Sequence, residues 1–264
     1  MDGIEHEIRQ RLRTIEEAES IVILFAVESG SRAWGFESAD SDYDVRFVYK
    51  HKTDWYVSIE KKRDVIERPQ DGVFDFSGWD IRKTLHLFSK SNPPLLEWLK
   101  SPIMYLEQGE FRKELRRLES RYFSDKACIL HYLHMAIGNY REYLKRETVR
   151  TKKYLYVLRP LLACEWIRKF REPPPMEFEK LADEILPETE IRGRVFDLLS
   201  RKRNNEELGE GPCIPAMNGY IEKTISFYED YASSLEKNMI DAELLNDLFR
   251  KTIAFNQAPD QNLR

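Results

Sequence analysis

The sequence predicts an α/β (α+β) fold, with a mixed-sheet part over residues 1–110 followed by a mainly helical part over residues 111–264. Three observations predict it. Residues 21–27 form an apolar run, and residues 42–49 alternate polar and apolar side chains, so both read as strands. Residues 64–67 and 73–76 flank a Pro and Asp-Gly turn and read as a hairpin, whereas beyond Phe111 apolar residues recur almost throughout at helical steps.

Each element has its own warrant. Ile4, Ile8, Leu12 and Ile15 are spaced as the apolar stripe of a helix packed on a sheet. The run Ile21-Val22-Ile23-Leu24-Phe25-Ala26-Val27 is continuous and rich in β-branched residues, which suits a central strand covered on both faces. In the next strand Tyr43, Val45, Phe47 and Tyr49 point one way and Asp42, Asp44 and Arg46 the other. The second arm of the hairpin sets Val73, Asp75 and Ser77 on one face. After Gly78-Trp79-Asp80 the period becomes helical through Ile81, Leu85 and Phe88, with Asp80 or Ser77 placed to cap. A short helix is predicted over 95–99, and longer ones from Ser124 or Asp125, over 151–170, 178–186, 190–202 and 217–235. Residues 151–170 are apolar nearly all round, the pattern of a buried helix, and Pro160 within them predicts a kink.

Composition narrows the function classes. The chain of 264 residues has 42 basic and 46 acidic side chains and a net charge of -4, so any nucleic-acid surface must be a local patch. Cys128, Cys164 and Cys213 are odd in number, far apart and without CxxC spacing, which argues for a reducing compartment rather than a disulfide framework. The first residues are acidic, and no run of about 18 apolar residues occurs, so a cytoplasmic protein with no membrane partner is expected.

Two carboxylates on one strand face repel each other unless a cation lies between them. Asp42 and Asp44 are such a pair, and hard oxygen ligands suit Mg²⁺ or Mn²⁺ bound together with substrate phosphates. Upstream, Gly30-Ser31 follows the first strand, where backbone N–H groups and the Ser31 hydroxyl can hold phosphate oxygens. A third acid on a neighbouring strand would complete a two-metal clamp. Asp75 is the first candidate because alternation fixes its face; Asp80 is the other, set against a plain role as a helix cap.

The string Gly30-Ser31, ten intervening residues, Asp42-x-Asp44 and a later acid resembles the nucleotidyltransferase superfamily that includes DNA polymerase beta and kanamycin nucleotidyltransferase. The longer blocks Gly30-Ser31-Arg32-Ala33-Trp34-Gly35-Phe36, Ser41-Asp42-Tyr43-Asp44-Val45-Arg46, Ser77-Gly78-Trp79-Asp80-Ile81-Arg82-Lys83 and Lys153-Tyr154-Leu155-Tyr156-Val157-Leu158-Arg159-Pro160 are similar to its bacterial and phage branch associated with RNA repair. The resemblance implies a polymerase beta-like palm with a helical part closing over the nucleotide. It implies transfer of a nucleoside monophosphate from an NTP to an acceptor hydroxyl, with an RNA 3′ end favoured and a small molecule or protein hydroxyl open. Ser31 would contact triphosphate, Asp42 and Asp44 both metals, and Asp75 or Asp80 the acceptor side.

Other residues carry two readings. Arg32 is either a phosphate ligand or an exposed turn arginine, and Arg46 and Lys83 are equally divided between phosphate and structural ion pairs. Lys152, Tyr156 and Arg159, with Lys153 as an alternate, form a polar stripe that either recognises the nucleotide or pairs with an acid such as Glu206. Trp34 and Trp79 either stack on a base or, more often for tryptophans beside strands, fill the core. Cys128, His131 and His134 diverge around a helix and make a poor zinc site. The basic clusters Arg112-Lys113 with Arg116-Arg117, and 141–153, are either solvated helix faces or a track for a nucleic-acid backbone. The rival to an enzyme is a non-catalytic nucleotide sensor of the same fold.

Overall fold

A computed structural model describes residues 2–39, 41–204, 209–236 and 241–254. The first helix, α1 (Asp2–Glu19), buries Ile8, Leu12 and Ile15 against one face of a sheet, as their spacing requires. The sheet begins with β1 (Val22–Glu28), buried at every position but its first because both faces are covered. Gly30 turns the chain into one helical turn, α2 (Gly30–Ala33), and β2 (Tyr43–Lys50) returns antiparallel to β1. After the short α3 (Thr53–Tyr56) comes the expected hairpin, β3 (Val65–Glu67) and β4 (Phe74–Asp80), with β4 lying parallel to β2. Next are α4 (Ile81–Ser89), α5 (Pro93–Lys100), capped by Asn92, and β5 (Met104–Glu107), which pairs with β1. The mixed sheet therefore runs β3-β4-β2-β1-β5.

The rest is helical: α6 (Phe111–Tyr122), α7 (Asp125–Tyr143), α8 (Lys153–Phe170), α9 (Phe178–Ile185), α10 (Glu190–Arg203), α11 (Pro215–Ser234) and α12 (Glu243–Ala254). A two-stranded ribbon, β6 (Thr148–Arg150) with β7 (Glu210–Pro212), interrupts it. α8 is the buried helix that its all-round apolar sequence predicts, and Pro160 lies inside it. Ser124 caps α7 through the Ala127 N–H.

The two sheet faces bury different cores. Val45, Phe47, Tyr49, Phe74 and Phe76 meet α1, whereas Leu24, Phe25, Val27 and Val48 join a larger core that continues through α7 and α8 to Leu245 and Leu248 of α12. One core thus runs across position 110, where the sequence suggests a change of organisation. The short elements α3, β5, β6 and β7 lie outside the sequence expectations because three or four residues cannot display a period. α12 was also outside them, although Leu245, Leu248 and Phe249 carry its spacing. Among the described residues no helix is long and apolar enough to cross a membrane.

Candidate active site

Alternation in β2 turns Asp44 and Arg46 away from the α1 core, and the parallel pairing with β4 sets Asp44 directly beside Asp75. Two carboxylates from different strands are thereby placed side by side. Asp42 stands exposed just before β2, two residues from Asp44. Gly30 makes the seat for Asp44. Its φ of +61° favours glycine, and a Cβ there would lie 2.0 Å from Asp44 Oδ2. The Ser29 N–H donates to the Asp44 carbonyl at 2.9 Å, and Ser31 is buried within α2.

Beneath Asp44 lies Glu28, fully buried at the end of β1. Its Oε1 accepts the Asp44 N–H at 2.7 Å, and its other oxygen accepts the Tyr105 hydroxyl. Burial pushes the Glu28 carboxyl up to about 7 against the pull of those two hydrogen bonds. Asp44 is also raised, first by burial; Arg46 opposes this, and the charges of Asp75 and Asp42 add to it.

Arg46 resolves to a counter-ion. Its Nη2 lies 2.9 Å from Asp44 Oδ1 and 2.7 Å from Asp75 Oδ2, while Nη1 donates to the Asp75 carbonyl at 3.0 Å. Arg32 is occupied by its own loop: Nη2 donates to the Ser41 carbonyl at 2.6 Å and Nε to the Asp42 carbonyl at 3.1 Å, with the guanidinium 3.8 Å from the Tyr43 ring centre. It fixes the approach to β2. Lys83 pairs with Asp64 at 3.6 Å.

Asp80, the alternate third acid, is not brought to this cluster. It falls on the opposite alternation from Asp75, is fully buried, and caps α4 by accepting the Arg82 N–H at 2.7 Å and the Tyr56 hydroxyl at 2.7 Å. Its backbone leaves the strand there, so its carboxylate serves the helix. The structural reading of this residue therefore replaces the acceptor-side one.

The remaining candidates lie along α8. Lys152 is exposed at its start, Lys153 places Nζ 3.9 Å from the Tyr143 ring centre and 5.3 Å from that of Tyr156, and Tyr156 is half-buried, its hydroxyl raised by burial and then by the charge of Asp44. Tyr156 is thus the member of the stripe that faces the carboxylates. Arg159 does not reach them. Only 2 % exposed, it pairs with Glu97 at 2.7 Å, donates to the Met176 carbonyl, and lies 4.4 Å from the Trp34 ring centre. Glu97 on α5 also accepts from Tyr132 at 2.7 Å and from Trp34 Nε1 at 3.3 Å. The acid that meets Arg159 is thus Glu97; Glu206 lies outside the described residues, as does the tail from Pro259. Trp34 packs on Phe36 and Tyr156, and Trp79 on Trp98, so both tryptophans fill the core.

Three side chains escape sequence reasoning: Glu28, Glu97 and Lys202. The first two are single acids within or ending apolar runs, which is the signal of a buried partnered carboxylate. Lys202 on α10 donates to the Phe36 carbonyl at 2.8 Å and lies 4.7 Å from the Phe36 ring centre, tying the α2 turn to the helical part. Cys128 is a core thiol, pushed up by burial and donating to the Ser91 carbonyl.

No three His, Cys, Asp or Glu side chains converge as a finished metal cage among the described residues. The donor chemistry still fits a hard divalent cation, because Asp44 and Asp75 are adjacent oxygen donors that share a single guanidinium.

A curated relative, an uncharacterized protein of Bacillus subtilis (strain 168), is 47% identical over 252 residues, spanning 95% of this chain and 96% of its own length. A solved nucleotidyltransferase-like protein from Exiguobacterium sibiricum aligns over 94% of this chain and 87% of its own at 12% identity, with a TM-score of 0.31, too slight a likeness to carry an argument. A family model described as the RNA repair pathway DNA polymerase beta family matches residues 4–251. With nearly the whole chain matched, and with the in-register acids of β2 and β4 beside a glycine turn, this protein belongs to the RNA repair pathway DNA polymerase beta family.

Proposed function

We propose that the protein is a nucleotidyltransferase, dependent on Mg²⁺ or Mn²⁺, that transfers a nucleoside monophosphate from an NTP to an acceptor hydroxyl, with an RNA 3′ end as the favoured acceptor. The observation that carries this reading is the pairing of Asp44 with Asp75 over Gly30, a seat that admits no side chain. Asp42, Asp44 and Asp75 would hold the metal, which when bound neutralises triphosphate charge and acidifies the acceptor hydroxyl.

The chain's own groups do the remainder. Gly30 and Ser31 cradle phosphate oxygens at the turn, and Lys152, Lys153 and Tyr156 meet the nucleotide from the start of α8. Asp75 takes the proton of the acceptor hydroxyl; the acceptor oxygen bonds to the α-phosphorus as the bond to pyrophosphate breaks. Glu28 holds the backbone of Asp44, and Arg46 holds the two acids at a fixed separation. Arg32 and Arg159 act indirectly, one on the loop before Asp42 and the other beneath Trp34.

The rival, a non-catalytic nucleotide sensor of the same cytoplasmic setting, draws on Arg46, which already pairs with both acids without metal. One experiment separates them. The purified protein is incubated with each labelled NTP, Mg²⁺ or Mn²⁺, and RNA, DNA and small-molecule acceptors, while calorimetry follows ATP binding with and without Mg²⁺. Label transfer that the Asp42→Asn, Asp44→Asn double variant loses supports the enzyme. Metal-independent ATP binding with no transfer to any acceptor supports the sensor.

A further inference from the structure

On several helices basic side chains are matched by acids one turn away, as in Arg9–Glu5, Lys113–Glu110, Arg117–Glu114 and Arg194–Glu190. Residues 141–153 depart from that pattern. Arg141, Lys145, Arg146, Arg150, Lys152 and Lys153 form no ion pair among the described residues, and all but Lys153 are exposed. In a chain of net charge -4 such a stretch is held against the overall balance.

The fold gathers its second half into one place. Arg150 ends β6, Lys152 precedes α8 and Lys153 opens it; Lys153 feels repulsion from both Lys152 and Arg150, and Tyr143 at the end of α7 feels Arg150. The Lys153 ammonium lies 3.9 Å from the Tyr143 ring centre and 5.3 Å from that of Tyr156, and the Tyr156 hydroxyl is in turn raised by Asp44. Cations and aromatic rings thus follow one another from Tyr156 outward onto the β6–β7 ribbon, with Glu142 beside Tyr143 and Glu210 opposite Arg150 as the acids among them. Tyr143 keeps part of its ring open to solvent.

We infer that this surface receives a single-stranded nucleic acid, with its phosphates on Arg150 and Lys152 and a base against Tyr143. Unpaired cations supply a site for regularly spaced phosphates, and an aromatic ring among them serves an unstacked base, which a duplex does not offer. Lys152, given to the NTP above, is shared with the strand, whereas Arg150 on β6 serves the strand alone. The inference rests on the nucleotidyltransferase reading in one respect, that the strand is the acceptor.

The test is fluorescence anisotropy with 5′-labelled single-stranded RNA and DNA oligonucleotides, without NTP or metal, across a salt series. Arg150→Gln with Lys152→Gln should weaken binding about 10-fold or more at low salt and reduce the slope of log affinity against log salt by about 1.4, two phosphate contacts' worth. Tyr143→Leu, which keeps apolar packing but removes the ring, should weaken binding by about 5- to 100-fold with the slope unchanged, and Tyr143→Phe should restore it. Lys113→Gln with Arg117→Gln removes the same charge from α6 and should leave affinity and slope as in the wild type. The inference is overturned if the wild type binds neither oligonucleotide, if the α6 variant loses as much as the ribbon variant, or if duplex binds as well as single strand and Tyr143→Leu has no effect. Should the ribbon variant behave as expected while no NTP label moves to any acceptor, the surface stands and the enzyme reading falls.

Discussion

Two arginine–carboxylate centres in this molecule use the same chemistry to opposite ends. At Arg159 one carboxylate, Glu97, is met by three donors, from Arg159, Tyr132 and Trp34, in a place almost without solvent. At Arg46 two partly exposed carboxylates share one guanidinium, and Asp42 stands two residues before Asp44. The first centre matches one buried cation to one carboxylate, with only Arg159 Nε left without a partner. The second has more negative charge than its cation can balance, and a site with unspent charge is one that can take up a ligand.

The largest effect should come from the buried centre. Arg159→Met leaves Glu97 buried without its cation and should cost about 3–5 kcal/mol in urea denaturation. An unchanged midpoint would instead return Arg159 to the nucleotide. At the open centre charge removal should reverse the pattern. Asp44→Asn should cut label transfer about 100-fold or more while stability stays within about 1 kcal/mol of wild type, because repulsion is relieved as one hydrogen bond weakens. Asp75→Asn should behave likewise, whereas Asp80→Asn retains a capping side chain and should spare transfer; the reverse result would restore Asp80 as the third acid.

Smaller effects should trace how Asp44 is seated. Gly30→Ala forces a side chain into the left-handed region and against Asp44 Oδ2, and should lower stability by about 2 kcal/mol in thermal unfolding. Glu28 then sets a pH dependence. Its native carboxyl holds a proton up to about 7, above its ordinary value of 4.5, so between those pH values the native state binds more protons than the unfolded one. Stability therefore falls as pH rises through that window, by about 3 kcal/mol from this group, and Glu28→Gln should flatten the fall. A slope that persists in the variant would move the effect to Asp44 or Asp80, which are raised in the same direction.

Local order was the legible part of the sequence. Alternation alone placed Asp44 and Arg46 on one face of β2, with Asp42 just before it, and Asp75 on one face of β4, and a capping pattern anticipated Asp80 at α4. What could not be read was which strand neighbours which. Nothing in residues 42–49 or 73–80 states that they pair in parallel with Asp44 opposite Asp75, because that register is set by distant packing. The same limit hid the partner of Arg159, which comes from a helix more than sixty residues earlier. Glu28 and Glu97 were visible as acids in apolar company, but only the fold says what they hold.

The last helix has a consequence for how the protein is made. α12 lies on α4 and α6, with Lys50 Nζ donating to the Thr252 carbonyl at 2.8 Å and Phe249 packed edge-on against Tyr56 at 5.2 Å. The end of β2, the strand that carries Asp44, is therefore finished by residues about two hundred positions later. A ribosome emits the five-stranded sheet early, yet part of its lining arrives almost last. Co-translational folding of this half should stall in a partly open state until the final turns emerge, and chains that stop at residue 242 should be captured by chaperones or proteases rather than accumulate as a working sheet.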